Sequence, residues 1–451
     1  MKRSRLMILL CSLAALTLLS GGSLRAQAPA QKVDVASVTA RIEALGPELV
    51  QMSDWMCDNP EYGHHEVQAV ARLVDFLKKN GFSKVEANLG GFQTAFKASF
   101  DGNNGPPNLA FMVEYDALRG NGGTAFHGCQ HDLQGPAGIG AAIALAEYMK
   151  AHNLPGSVYV IGTPAEEIPP PVKRIMYDRG AFKGIDFITR SHGGTETREP
   201  EAGIGGCCNV PINSIKYIFK GNATSANIQV GKLPLIRDRH SALEGLLEFF
   251  RSVEVLRGVV RPETIIQGVI IEGGEAMNVF PERAVGDFAI RYDGKRDYLE
   301  SVTAMMTAAA RKAAQATGTE VEVDIYGRYE KGISLATLHH RAFEYAKSYG
   351  ATNLKTEKSK PSGYEETGMV AGNIPGFGIT VQSAPAGTPG HSHENAAASK
   401  QEIGHQGMLI DSKVMASVMF DLLTDATYRE EVRVEFDKWR KVWLEEVGTG
   451  R

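Results

Sequence analysis

Residues 108–132 read NLAFMVEYDALRGNGGTAFHGCQHD. The apolar run Leu109–Val113 predicts a buried strand, and it breaks into the polar Glu114-Tyr115-Asp116. A Gly-rich loop and His127-Gly128-Cys129-Gln130-His131-Asp132 follow, and a helix with a small apolar face is expected to open near Pro136. Groups able to bind a cation are thus gathered between a strand's exit and a helix's entry. In an open α/β sheet that crevice is where ligands bind.

Outward from this stretch the chain alternates. SVYVIGTP (157–164) predicts a strand running into Ala165-Glu166-Glu167, VKRIMYDRGAF a helix, and FKGIDFITR a strand leading to Ser191-His192. Strands separated by helices imply a largely parallel sheet with helices on both faces. Upstream, residues 36–82 have helical periodicity and KVEANL and QTAFKASF read as strands. From residue 212 the order becomes β-α-β-β-α-β, that of a ferredoxin-like α+β module. LATLHHRAFEYAKSYG (helix), GFGITVQSA (one strand) and MLIDSKVMASVMFDLL (helix) then resume the first pattern, with a charged tail after them. The expected organisation is a leader at 1–28, a catalytic domain at 32–211 and 329–440, and a module inserted at 212–328.

The leader has a basic start, MKRSR, an apolar stretch at 6–19 and small residues in SLRAQA, the pattern of a cleaved secretory signal. It is shorter than the ~20 residues of a membrane span. A secreted or periplasmic protein is expected, with no membrane attachment after cleavage. Removing it takes away four cations and no acid, moving the formal charge from −4 to −8. Such a chain is a poor nucleic-acid binder. Cys57, Cys129, Cys207 and Cys208 are too few for a disulfide scaffold, and Cys129 between two histidines suits a metal thiolate.

Cys129, His131, Glu166, Glu167, His192 and His391 come from four segments, each expected at the same edge of one sheet. Thiolate, imidazole and carboxylate ligands suit Zn²⁺ or Mn²⁺, with Co²⁺ or Ni²⁺ as alternatives. Five ligands exceed one tetrahedral ion, so two divalent ions ~3.5–4 Å apart are expected. One Glu of the pair would bind metal while its neighbour accepts a proton from water.

TPAEE, the Cys-x-His-Asp element, GG-x-x-x-NVFP and GTPGHS resemble the dinuclear-metal amidohydrolases. Those relatives include the aminobenzoyl-glutamate hydrolase B-type subunit, N-acyl-amino-acid amidohydrolases and bacterial carboxypeptidases. The resemblance spans about residues 40–425. It implies Cys129, His131, Glu167, His192 and His391 as ligands, Glu166 as general base, and Asp116 and Glu366 as supports behind them. It further implies Asn278 and Arg291 as binders of substrate amide and carboxylate, and a homodimer through the inserted module. The implied activity is hydrolysis of an N-acyl amino acid, an aminoacyl-glutamate-like compound or a dipeptide with a free carboxylate.

This chain departs from the family at three places. Gln130 replaces the usual Gly between the metal Cys and His. Ile168-Pro169-Pro170-Pro171 replaces a Gly-rich turn. Ser225 stands where an oxyanion-binding His is usual, a loss worth on the order of 10²–10³ in rate unless another donor such as His240 compensates. Two other readings follow from the same text: a periplasmic solute-binding protein, which has no need of paired Glu at a metal, and a catalytically weakened family member. His393 is the rival of His391, His127 is read as a loop or supporting residue, and His64, His65, His339 and His340 as solvated or capping.

Overall fold

The central strand, Asn108–Val113, is buried along its apolar length because both its neighbours run parallel to it: Ser157–Gly162 on one side and Phe187–Arg190 on the other. The structure is a computed structural model. It describes residues 34–190, 192–207, 210–222, 240–277, 279–359 and 367–447. The main sheet has the order Lys84–Ala87, Phe96–Ser99, Ser157–Gly162, Asn108–Val113, Phe187–Arg190, Gly376–Phe377. Phe96–Ser99 pairs antiparallel with both its neighbours, and the remaining pairs are parallel.

Helices cover both faces. On one, Val35–Asp58, His131–Ala151 and Glu402–Thr424 pack with Ala336–Ser348 into the larger core. On the other, Val172–Asp178 closes a smaller core around Met112, Ile161 and Met176. The His131–Ala151 helix is buried nearly all round, because it lies between the sheet and two further helices. Its glycines permit this: a Cβ on Gly138 would stand 2.4 Å from Val113 Cγ1.

Three elements differ from expectation. The helix starts at His131 rather than near Pro136. Gln130 takes a left-handed conformation, φ 63°, and its carbonyl accepts from the Leu133 and Gln134 N–H groups. That starts the first turn early and sets Pro136 inside the helix, where its missing N–H costs one bond. GFGITVQSA is not one strand but two, Gly376–Phe377 on the main sheet and Thr380–Gln382 on a second one. Residues Phe187–Arg190 and His192–Gly194 divide in the same way. The charged tail is a helix, Ala426–Val447, which buries Tyr428, Val432, Phe436 and Trp443 at helical spacing.

The second sheet has the order Leu354–Ser359, Thr197–Pro200, Thr380–Gln382, His192–Gly194. A third sheet, Ile265–Glu272, Arg283–Arg291, Ile212–Lys220, Glu320–Tyr329, is antiparallel throughout and has the ferredoxin-like order. Helices Ala242–Arg257 and Arg296–Thr317 cover one of its faces around Phe219, Phe249 and Phe288. Edge strand Ile265–Glu272 leaves Ile265, Val269 and Ile271 each more than half exposed. No helix among the described residues is long and apolar enough to cross a membrane, and residues 1–28 lie outside the described part.

Candidate metal centre

The parallel strands end at one edge, and three of their exits carry chemistry. Asp116 follows the central strand, Glu166 and Glu167 follow Ser157–Gly162, and His192 opens the second-sheet strand after Phe187–Arg190. Cys129 and His131 do not follow a strand directly. A short hairpin, Leu118–Arg119 with Ala125–Phe126, comes between. His391 also does not come from the main sheet, because the strand before it, Thr380–Gln382, lies on the second one. The expectation of a single sheet edge therefore fails, while the convergence itself holds.

Two ties bring the His391 segment in. The Gly128 carbonyl accepts from His391 N–H at 3.1 Å and from Asn395 Nδ2 at 2.8 Å. Gln130 completes the seam: Ser383 Oγ donates to its Oε1 at 2.6 Å, and its Nε2 donates to the Asn395 carbonyl at 3.1 Å. Left-handed backbone is concentrated here, at Gln130 (φ 63°), Ala165 (φ 55°) and His391 (φ 56°), none of them glycine. Such conformations persist only where the surroundings hold them.

The side chains meet in overlapping triads whose ligand atoms lie within 4.8 Å of one another: Cys129, His131 and His192; Cys129, Glu167 and His391; His131, Glu166 and Glu167. Cys129 Sγ is 3.6 Å from His192 Nε2. His131 Nε2 is 3.9 Å from both Glu166 Oε2 and Glu167 Oε1, and Glu167 Oε2 is 4.0 Å from His391 Nε2. These separations suit groups arranged around a cation better than groups bonded to each other.

Two of the imidazoles are held by their other nitrogen. His131 Nδ1 lies 2.9 Å from Asp116 Oδ1, and His192 Nδ1 lies 2.7 Å from the Gly193 carbonyl. Since Nδ1 meets an acceptor in both, it carries the proton, and Nε2 turns its lone pair to the centre. Asp116 also reaches a second segment, where its Oδ2 accepts the Glu167 backbone N–H at 3.0 Å. One fully buried carboxylate thus orients residues from two segments.

The electrostatics favour a cation. His131 Nε2 and Glu167 Oε1 are buried without a hydrogen-bond partner among the described residues, a costly state that a metal ion would relieve. Burial pushes the Glu167 carboxyl up, with Asp116 adding to it against His131 and His391. Burial likewise pushes the Cys129 thiol up, with Glu167 next, and a bound cation reverses that by stabilising the thiolate. For His192, burial and then the neighbouring Arg190 lower the pKa, keeping the neutral imidazole that ligates metal. The donor set fits a metal centre.

Beneath the cluster lies a charged layer that sequence reading missed. Lys173, fully buried, holds its ammonium on Glu114, whose other oxygen is 3.6 Å from His131 Nε2. Burial alone would raise the Glu114 carboxyl, but Lys173, His131 and Arg190 hold it well below the usual carboxylate range. A lysine after three prolines carries no signal in the text that it will be buried.

Other predicted residues are placed as follows. Arg291 ends the strand Arg283–Arg291 of the third sheet, its Nε buried with no hydrogen-bond partner among the described residues. Asn278, Ser225 and Glu366 lie outside the described residues. His240 Nδ1 engages the Thr317 carbonyl at 2.9 Å, which ties two ends of the third-sheet layer together. His393 stands 4.3 Å from the Phe126 ring. His127 is buried, and burial lowers its pKa to about 3. His64 and His65 precede the Val67–Lys79 helix instead of lying on it. His339 is buried, with Nδ1 on the Leu335 carbonyl at 2.8 Å, and is not solvated.

The sequence profile described as Peptidase family M20/M25/M40 matches residues 110–409. The chain is 26% identical to the Xaa-Arg dipeptidase of Mus musculus, over 88% of this chain and 90% of that protein. It is 24% identical to the B-type subunit of p-aminobenzoyl-glutamate hydrolase from Escherichia coli K12, over 87% of this chain and 93% of that one. Among solved structures, the Bacillus subtilis YXEP protein, described as a dinuclear metal binding peptidase from the M20 family, superposes with a TM-score of 0.59. That match has 18% identity and covers 84% of this chain and 99% of that one.

Proposed function

The chain belongs to peptidase family M20/M25/M40, hydrolases that act on amide bonds, and from that premise we propose that Cys129, His131, Glu167, His192 and His391 hold two divalent metal ions. The observation that carries this reading is the position of Cys129, common to one triad with His131 and His192 and another with Glu167 and His391. Cys129 would thus serve both groups of ligands when metal is bound. Zn²⁺ or Mn²⁺ suits the donors, with Co²⁺ or Ni²⁺ as alternatives.

When bound, the ions lower the pKa of a water molecule and polarise the scissile carbonyl. Glu166, 7% exposed and beside His131 Nε2, would act as the base that takes a proton from the attacking water and passes it to the leaving amine. Asp116 fixes the tautomer of His131 and the backbone at Glu167, so neither ligand reorients during the reaction. Arg291 receives the substrate's free carboxylate, and Asn278 its amide. The substrate is an N-acyl amino acid, an aminoacyl-glutamate-like compound or a dipeptide.

Metal analysis of the purified protein, coupled to hydrolysis assays over a panel of those three substrate types, tests the reading. Two equivalents of metal and activity lost to chelator and restored by Zn²⁺ or Mn²⁺ are expected. A stoichiometric two-metal protein with no turnover on any of the three would overturn the substrate assignment.

Two further proposals concern the cell. The apolar edge strand Ile265–Glu272 supports a homodimer formed through the third-sheet layer. The basic and apolar opening of residues 1–28 supports export with cleavage. Fractionation with N-terminal sequencing of the exported protein checks the second.

A further inference from the structure

The helix Val172–Asp178 starts five residues after Glu167, and consecutive side chains on it reach opposite parts of the molecule. Lys173 points under the metal-ligand cluster to Glu114. Arg174, about 100° further round the helix, sends Nε to Asp178 Oδ2 at 2.8 Å and Nη1 towards Glu330 Oε1 at 3.5 Å. Glu330 is 5% exposed, and the same oxygen lies 3.3 Å from Arg296 Nη1. Arg296 in turn donates to the Tyr329 carbonyl at 3.0 Å and to Asn213 Oδ1.

Those last two residues sit at the root of the inserted layer, one on its first strand and one on its last. Ile212, beside Asn213, pairs with Arg291 on one side and with Tyr329 on the other. One strand, Ile212–Lys220, therefore separates Arg291 from the Tyr329 backbone that Arg296 grips. A single buried carboxylate between two guanidinium groups joins the helix behind the metal-ligand loop to the strand end carrying Arg291.

We propose that Arg174 and Glu330 are positioning residues, a strut that holds Arg291 at a fixed reach from the metal-ligand cluster. Stability alone does not account for such a group, since replacing buried ion pairs with apolar residues is often neutral or stabilising. Reach does account for it, because a misplacement of ~1 Å between binding group and reacting centre costs on the order of 100-fold in rate. The proposal rests on the reading of Arg291 as the carboxylate contact.

The test uses the metal-loaded protein and two probes, an N-acyl amino acid and the same compound with its carboxylate replaced by a carboxamide. Exchanging both partners, Arg174→Met with Glu330→Gln, leaves no half-broken pair on the helix side. The ratio of kcat/KM for carboxylate over carboxamide should fall on the order of tenfold, mostly through KM, with two metal ions retained. Arg174→Lys keeps the charge and the fold but cannot engage Asp178 and Glu330 together, and should show the same loss at smaller size. Unchanged selectivity in both variants would overturn the strut. If the unaltered enzyme treats the two probes alike, the Arg291 reading falls, and the strut is then judged by amide hydrogen exchange along Ile212–Lys220. Faster exchange there, with Asn108–Val113 unaffected, supports it, and exchange identical to the parent overturns it.

Discussion

Ser383 Oγ donates to Gln130 Oε1 at 2.6 Å, and both residues are buried. The contact spans 253 residues and joins the loop bearing Cys129 and His131 to the chain that leads to His391. It also explains how a glutamine occupies a position whose backbone favours glycine. The backbone there is left-handed, which suits glycine and costs another residue ~1–2 kcal/mol. Hydrogen bonds to Ser383 and Asn395 offset that strain.

Gln130→Gly should relieve the strain but lose both side-chain bonds, each worth ~1 kcal/mol, and add the flexibility of glycine. We expect a lower melting temperature and weaker metal binding, because the His391 segment loses the side-chain part of its ties and keeps only those to the Gly128 carbonyl. Calorimetry and metal titration on the same variant measure the two effects. A variant more stable than the parent, with unchanged affinity, would contradict the account.

Glu166→Gln should keep the metal and lose turnover. The amide cannot take a proton, and removing a general base costs ~10²–10⁴ in rate. Elemental analysis beside steady-state kinetics separates this from Glu167→Gln, which should lose metal as well. Comparable activity in Glu166→Gln and the parent would remove Glu166 from the mechanism.

Asp116→Asn presents an amide group where two N–H donors now converge, from His131 Nδ1 and the Glu167 backbone. One donor must be left facing another. Metal affinity should drop ~10–100-fold, read by competition with a chromogenic chelator.

Glu66 carries a pH signature of its own. Burial, reinforced by Asp116, raises its pKa to about 7, against hydrogen bonds from Thr94 and the Ala165 N–H. The folded state therefore holds this proton more tightly than the unfolded chain. The stabilisation is complete below the unfolded value, near pH 4.5, and is lost as pH rises to about 7. Glu66→Gln should flatten the unfolding free energy across that window, removing a fall on the order of 3 kcal/mol. Denaturant unfolding at pH 5 and pH 8 measures the difference, and parallel changes in parent and variant would rule it out.

Charging the apolar edge, with Val269→Lys and Ile271→Glu, should shift a dimer to monomers in sedimentation velocity, because the edge strand could no longer bury its apolar face.

The text of the chain revealed what depends on periodicity and on residue chemistry. The apolar run at Leu109–Val113 and the strand–helix alternation gave the main sheet, and the order from residue 212 gave the ferredoxin-like layer. Cys129, His131, Glu166, Glu167, His192 and His391 were legible as ligand types at loop positions, and the structure gathers them. What was not legible depends on partners distant in sequence. A lysine at 173 reads as solvated until Glu114 is found beneath it. GFGITVQSA reads as one strand because the switch from one sheet to another leaves no mark in its apolar pattern. The Ala426–Val447 helix is dense in charge, and its narrow apolar stripe is buried because distant elements, the junction at residue 331 among them, lie against it.

That last contact has a consequence for biosynthesis. Trp443 Nε1 donates to the Lys331 carbonyl at 2.6 Å across 112 residues of chain, and the Lys331 ammonium meets Glu446 at 2.7 Å. A nascent polypeptide halted before Trp443 leaves the ribosome has every ligand of the centre but an unfastened crossing at residue 331. The crossing at residue 331 is therefore fastened only after every residue of the candidate centre has been made.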